Sequence, residues 1–297
     1  MRWCPARRRK WPPVYFGRND QPLPDDASGE DIAYSVYDIR IKPGILFQPH
    51  PAFARNPDGS YTYWPLPPDG LENRYAIPDF PQTGTRALTA HDYVYAIRRL
   101  ASPRVVSPAF GVLSSHIQGL REYAERLKQV DAELKSATSG LADAGAGLAH
   151  AGAGPAASQG LPAWLDLRDH AFDGVQALDD HTLRIRVNGK YPQFRYWLAM
   201  TFTAPVPWEA DRFYQQPGMA QRNLSLNTWP VGTGAYMMVE SIQNRRHVMA
   251  RNPNFRGEPY PCEGTPDDQA KGLLADCGKM TPFIDRIEFA LEKKAYR

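Results

Sequence analysis

At 297 residues the chain is long enough for one large domain or two modest ones, each able to bury a core. Apolar residues at 42% and charged residues at 23% exclude a disordered or fibrous class, while 28 prolines require many irregular connections, so a loop-rich α/β protein is expected. The net charge of +3 rests on Arg2, Arg7, Arg8, Arg9 and Lys10; without them the remainder is slightly acidic, which excludes the distributed basic face that nucleic-acid binding needs.

Residues 1–20 read as irregular. The stretch 1–13 starts positive but has no apolar h-region behind it, and nowhere is an uninterrupted apolar run long enough to span a bilayer, so neither a signal peptide nor an anchor is visible. Residues 32–42 (IAYSVYDIRIK) form the first convincing strand, with Tyr37, Ile39 and Ile41 on one face and Asp38, Arg40 and Lys42 on the other; Pro43-Gly44 turns it. Residues 56–82, rich in Pro, Asp, Gly and Tyr, read as an extended surface loop. A helix opens with Thr89 as N-cap and Asp92 at N3, close to a capping box, and Val94, Ile97 and Leu100 give its buried stripe.

A second amphipathic helix is predicted over 116–136, its inner face being Ile117, Leu120, Ala124, Leu127, Val130 and Leu134. The Ala/Gly/Ser tract over 136–160 can bury little and is expected to be a mobile loop. Residues 175–178 and 182–187 form a hairpin about Asp179-Asp180-His181, which are turn residues first; three adjacent side chains point apart and do not easily converge on one ion. Pro192 starts a short aromatic helix (PQFRYWLAM), and another runs through Phe213 and Tyr214.

Over 227–261 lies the most informative stretch, NTWPVGTGAYMMVESIQNRRHVMARNPNFRGEPYP. Gly232 and Gly234 stand just before an apolar run, where backbone must turn tightly or pass close to something else. Residues 236–240 and 247–251 suit strands, with Gln243-Asn244 between them as turn. A phosphate cradle would need a helix directly after the glycines and a lysine in the loop; here a strand follows and no lysine is present. The last segment holds Cys262 and Cys277, with neither a CxxC pair nor a neighbouring histidine of the kind zinc sites use, and a final strand with Ile287, Phe289 and Leu291 on one face. Cys4 is incidental. No nucleophile elbow, HExxH motif or cysteine–histidine signature is present.

Pro-Val-Gly-Thr-Gly-Ala-Tyr (230–236), a hairpin, then Arg-Asn-Pro-Asn-Phe-Arg-Gly (251–257) resembles the family 5 extracellular solute-binding proteins, the oligopeptide, dipeptide and nickel receptors of ABC importers. Phe255 and Arg256 stand where tyrosine and tryptophan are common in that family. The Leu-Thr-Ala-His-Asp run (88–92), the Asp-Asp-His-Thr turn (179–182) and the stretch 48–54 (QPHPAFA) are similar to it too, and the likeness extends over about 30–297.

The resemblance implies the first lobe of a type II periplasmic binding protein: a twisted mixed sheet carrying helices, with an outer α/β subdomain over 21–188 and a cleft-side part over 189–297 that leads toward a second lobe missing from this sequence. It implies a periplasmic monomer whose signal peptide is missing here, capture of a peptide or peptide-like solute with no cofactor and no metal, and delivery to a permease and its ATPase. Trp229, Thr233, Gly234 and Tyr236 are the ligand-side candidates by motif position, and the aromatic helices after Pro192 would support the cleft wall. An exported protein also suits a disulfide between Cys262 and Cys277. Gly234 is expected to hold a conformation closed to residues with a Cβ. With one wall of the cleft only, peptide binding that is weak or absent and an exposed apolar patch are expected. The rival readings are a secreted hydrolase acting on peptides or sugars, which would show turnover, and a truncated inactive gene product.

Overall fold

The computed structural model describes residues 13–67, 69–146 and 164–291. The basic run, Cys4 and the later part of the 136–160 tract lie outside the described residues. The chain forms two compact units, 1–43 with 89–208, and 44–88 with 209–297. They do not follow the sequential division at 188 read from the sequence, because 44–88 leaves the first unit and pairs with residues far downstream.

The first unit is built on a five-stranded sheet. Its strands are β1 (Val14–Phe16), β2 (Pro22–Leu23), β3 (Tyr34–Arg40), β4 (Val175–Asp179) and β5 (Thr182–Asn188), in the order β2-β1-β3-β5-β4. Every pair in it is antiparallel, where a sheet of mixed direction is expected from the sequence. Short connections explain this for β1–β2 and for β4–β5, since a tight turn can join only antiparallel neighbours. Within residues 1–20, read as irregular, Val14–Phe16 is a strand, and Val14 is opposite Val36 in β3. Three residues are too few to show a period of two, so only the pairing partner reveals the strand.

In register, Tyr37 faces Ile185 and Asp38 faces Arg184. The first pair lies on the core face, and the second forms an ion pair of 2.7 Å on the other face. Helices α1 (Ala90–Leu100), α2 (Phe110–His116) and α3 (Leu120–Ala146) bury Val94, Tyr95, Ile97, Leu113, Leu120, Tyr123 and Leu127 in one cluster with Leu183, Ile185 and Val187 of the sheet. At the start of α1 the Thr89 amide donates to the Asp92 carboxylate at 2.9 Å, as its sequence predicts.

The helix predicted over 116–136 begins instead at Leu120. Ile117 is drawn into extended conformation as an antiparallel bridge to Val187, which ends α2 at His116. At the other end α3 continues to Ala146, into the tract expected to be a loop. Alanine has the best helix propensity, and an established helix extends at low cost through the alanines of 136–146. After β5, the aromatic helix α4 (Phe194–Trp197) places Phe194 in the cluster, where its ring lies 5.4 Å from that of Tyr37.

The second unit contains α5 (Trp208–Tyr214), which opens at the boundary, and a three-stranded antiparallel sheet of order β10-β7-β6: β6 (Tyr236–Ile242), β7 (Arg246–Arg251) and β10 (Arg286–Ala290). The turn between β6 and β7 places Asn244 at φ 59°, a conformation asparagine tolerates. A two-stranded ribbon, β8 (Glu258–Pro259) with β9 (Met280–Thr281), brackets α6 (Pro266–Ala270).

Two antiparallel bridges, Leu46 to Ala87 and His50 to Gly84, fold 44–88 back on itself. The segment read as an extended surface loop contributes Tyr63 and Phe80 to an interior aromatic group with Phe213, with ring centroids 5.2 and 5.3 Å apart along the chain Tyr63–Phe80–Phe213. Arg86 clamps the buried carboxylate of Glu209 with two bonds of 2.7 Å, while its guanidinium lies over the rings of Phe47 and Phe53. Bidentate geometry is what makes that burial of charge sustainable.

Candidate functional site

The four ligand-side candidates lie on one loop of the second unit, residues 229–236, and the structure separates their roles. Trp229 is 4% exposed, so its indole offers no surface. Thr233 is half-buried, and its hydroxyl has no hydrogen-bond partner among the described residues. Gly234 is exposed. Tyr236 is half-buried at the start of β6, and its hydroxyl donates to the Ile284 carbonyl at 2.9 Å.

The expected strain at Gly234 is absent. The residue is not among those of positive φ, and a Cβ built on it meets nothing within 4 Å. A Cβ on Gly232 would meet only the Gly234 amide nitrogen, at an ordinary contact distance of 4.0 Å. Among the described residues packing requires neither glycine, and at exposed Gly234 the backbone is open to approach from outside.

Three flagged stretches, distant in sequence, converge on this loop. From 48–54, the Gln48 amide donates to the Gly232 carbonyl at 2.9 Å, its Nε2 donates to the Pro230 carbonyl at 3.2 Å, and its Oε1 accepts from the Gly232 amide at 3.2 Å. One glutamine thereby satisfies three backbone groups of a loop that forms no strand. From the motif's second half, the Asn252 amide donates to the Ala235 carbonyl at 2.9 Å and its Nδ2 to the Gly234 carbonyl at 2.8 Å. Its Oδ1 accepts from the Asn254 amide, and Asn254 Nδ2 donates to the Phe47 carbonyl at 2.8 Å. The spacing between the motif's halves is thus the length of the β6–β7 hairpin that returns Asn252 to the loop.

Beneath it lies a third connection. Tyr214 donates its hydroxyl proton to the Trp229 carbonyl at 2.8 Å, so its oxygen accepts from His50 Nε2, also 2.8 Å away. Nδ1 of His50 accepts from the Ala52 amide at 3.1 Å, which fixes the neutral Nε2–H tautomer. His50 is 1% exposed, and burial pushes its pKa down to about 3; burial likewise raises that of Tyr214. Both ring nitrogens of His50 and the hydroxyl of Tyr214 have partners, which a buried network requires.

Sequence reasoning missed Gln48, His50, Tyr214 and Asn252 as supports of the loop. The available signal was a glutamine and a histidine within a segment otherwise made of Pro, Ala and Phe: polar groups in an apolar setting need partners.

Elsewhere the predicted residues serve structure. Asp179 accepts from the His181 amide at 2.7 Å and the Thr182 hydroxyl at 2.8 Å, as a turn residue does, and those bonds hold its pKa below the usual carboxylate range. Cys262 and Cys277 are joined by a disulfide with Cα atoms 4.6 Å apart. A crevice of about 10 Å³ beside Tyr61, Trp64, Glu209 and Arg212 has room for about one water molecule and none for an organic ligand. No group of three potential metal ligands, and no helix long and apolar enough to cross a membrane, occurs among the described residues.

The profile of the family described as "Bacterial extracellular solute-binding proteins, family 5 Middle" matches residues 82–291. The periplasmic oligopeptide-binding protein OppA of Escherichia coli (strain K12) is 26% identical over 169 residues, and OppA of Salmonella typhimurium is 28% identical over the same length. In both cases the match takes in 57% of this chain and 23% of the relative, so the chain covers less than a quarter of those proteins. Among solved structures, a periplasmic oligopeptide-binding protein from Borrelia burgdorferi superposes with a TM-score of 0.44 at 14% identity, over 95% of this chain and 37% of that one.

Proposed function

The chain belongs to the bacterial extracellular solute-binding proteins of family 5, and from that membership we propose that it is part of the receptor of an ABC importer, capturing peptides or peptide-like solutes outside the cytoplasm for a membrane permease driven by an ATPase. The observation that carries this reading is the family match over 82–291, and the two OppA relatives supply the ligand class. The protein is then a binding component and no enzyme.

The loop 229–236 is the ligand-side element on this reading. A receptor for varied peptides must recognise what all peptides share, the backbone, and a loop with two glycines lets main chain approach main chain without side chains intervening. Gly234 and Thr233 supply accessible backbone and a hydroxyl, and Tyr236 flanks them. Trp229 serves through its carbonyl, not its ring.

Calorimetric titration of the chain with a pool of tripeptides to pentapeptides, followed by mass analysis of the recovered pool, tests the proposal. Weak but saturable uptake of intact peptide is expected, reduced further by Thr233→Val and by Gly234→Val. Cleaved peptide would make the chain a hydrolase, and selective uptake of sugars or free amino acids would replace the ligand class.

A further inference from the structure

We infer that Gln48, His50 and Tyr214 are positioning residues that hold the backbone of 229–236 in a single conformation for the ligand, acting as a latch beneath it. The inference rests on the reading of that loop as the ligand-side element.

Asn252 holds the loop's far end, at the carbonyls of Gly234 and Ala235, and the near end depends on other groups. Residues 229–235 lie outside every strand, and although the side chains of Trp229 and Val231 are buried, the carbonyls at Trp229, Pro230 and Gly232 would otherwise turn to whatever donor came near. Each of these carbonyls is instead taken by one member of the latch: Trp229 by Tyr214, Pro230 by the Gln48 side chain, Gly232 by the Gln48 amide. The Gly232 amide is held by Gln48 Oε1. Among the described residues the amides of Thr233 and Gly234, at the exposed end, have no hydrogen-bond partner.

His50 has a distinct part in this. A tyrosine hydroxyl can rotate, and with only a carbonyl to satisfy it would hold Trp229 loosely; the Nε2–H of His50, fixed by Ala52 on the other side of the ring, supplies the second bond that sets its direction. The imidazole is in turn packed edge-on against Phe213, with ring centroids 5.4 Å apart. The chain of constraint therefore runs from the aromatic interior through His50 and Tyr214 to the loop backbone. A receptor that meets its ligand with an ordered loop loses less conformational entropy on binding, and the latch is the source of that order.

The test uses the full chain and two readouts, amide hydrogen exchange and trialanine binding. In Tyr214→Phe and His50→Leu the amides of Trp229, Gly232 and Gln48 are expected to exchange about tenfold faster while those of β7 and α1 keep their rates. His50→Gln, whose amide can still donate to Tyr214, is expected to restore slow exchange, and affinity for trialanine should fall and recover in the same order. Unchanged loop exchange in Tyr214→Phe overturns the latch. So does faster exchange spread equally over β7 and α1, or His50→Gln behaving as His50→Leu does, since either would leave only a packing role. Should loop exchange follow the expected order while trialanine affinity does not, or should the unsubstituted chain bind no trialanine, the latch stands as a structural device and the ligand reading of the loop falls.

Discussion

His50 shows how a residue's burial sets its charge and its charge sets a stability profile. In the unfolded chain it titrates near its ordinary value of 6.5; in the fold, burial pushes the pKa down to about 3. Between those values the unfolded chain binds a proton that the fold refuses, so the contribution of this residue is fully present above about pH 6.5 and is lost as the pH falls toward 3. Where the difference is complete the slope is about 1.4 kcal/mol per pH unit. Denaturant titrations across that range should show the decline, and His50→Gln should remove this part of it; an identical slope in the variant would assign the acid sensitivity elsewhere. Glycines give the contrasting case. A Cβ on Gly84 would overlap the Phe53 carbonyl, whereas one on Gly234 meets nothing. Gly84→Ala should cost on the order of 2 kcal/mol and Gly234→Ala less than about 0.5 kcal/mol, read as melting temperatures. Sequence alone could not distinguish them, because the obstacle at Gly84 is backbone some thirty residues away.

Among the elements, those with a long period were legible and those defined by a partner were not. The α1 stripe, the β4–β5 hairpin and the β6–β7 hairpin carry their pattern and their caps or turns within ten or so residues. β1 and the break before α3 exist because of pairings with β3 and with Val187, and no local signal marks them. The latch was hidden for the same reason, since Gln48 and Gly232 are 184 residues apart in the chain. Short elements with few partners need another restraint, and β8 with β9 illustrates it. Two residues on each strand cannot hold the intervening segment, α6 included, and the Cys262–Cys277 disulfide closes that loop. A cross-link over a loop of 15 residues contributes about 3 kcal/mol by loop entropy. Cys262→Ser with Cys277→Ser should therefore release proteolytic cleavage within 258–281 at protease levels the disulfide form resists, with β6 and β7 left intact. Equal resistance of both forms would show that the ribbon holds itself.

For the whole molecule the informative feature is where apolar surface is left open. Large hydrophobic side chains are exposed throughout the first unit only singly in sequence, but Leu273, Met280, Phe283, Ile284, Phe289 and Leu291 fall within nineteen residues of the second. Phe289 and Leu291, 54% and 59% exposed, lie on and just beyond β10, which is the edge of its three-stranded sheet. An edge strand offers unpaired amides and carbonyls, and natural edges are usually blunted by charge at such positions. Arg286 and Glu288 alternate with Ile287 and Phe289, but Arg246 reaches Glu288, which reduces the charge available for repulsion. Exposed apolar groups along an unprotected edge therefore predict concentration-dependent self-association of the chain, whatever its ligand. Phe289→Lys together with Leu291→Thr should lower light scattering at a given concentration without changing the melting temperature, since neither side chain is buried. A fall in melting temperature would instead show that the two residues pack within the fold, and unchanged scattering would move the cause of association away from β10.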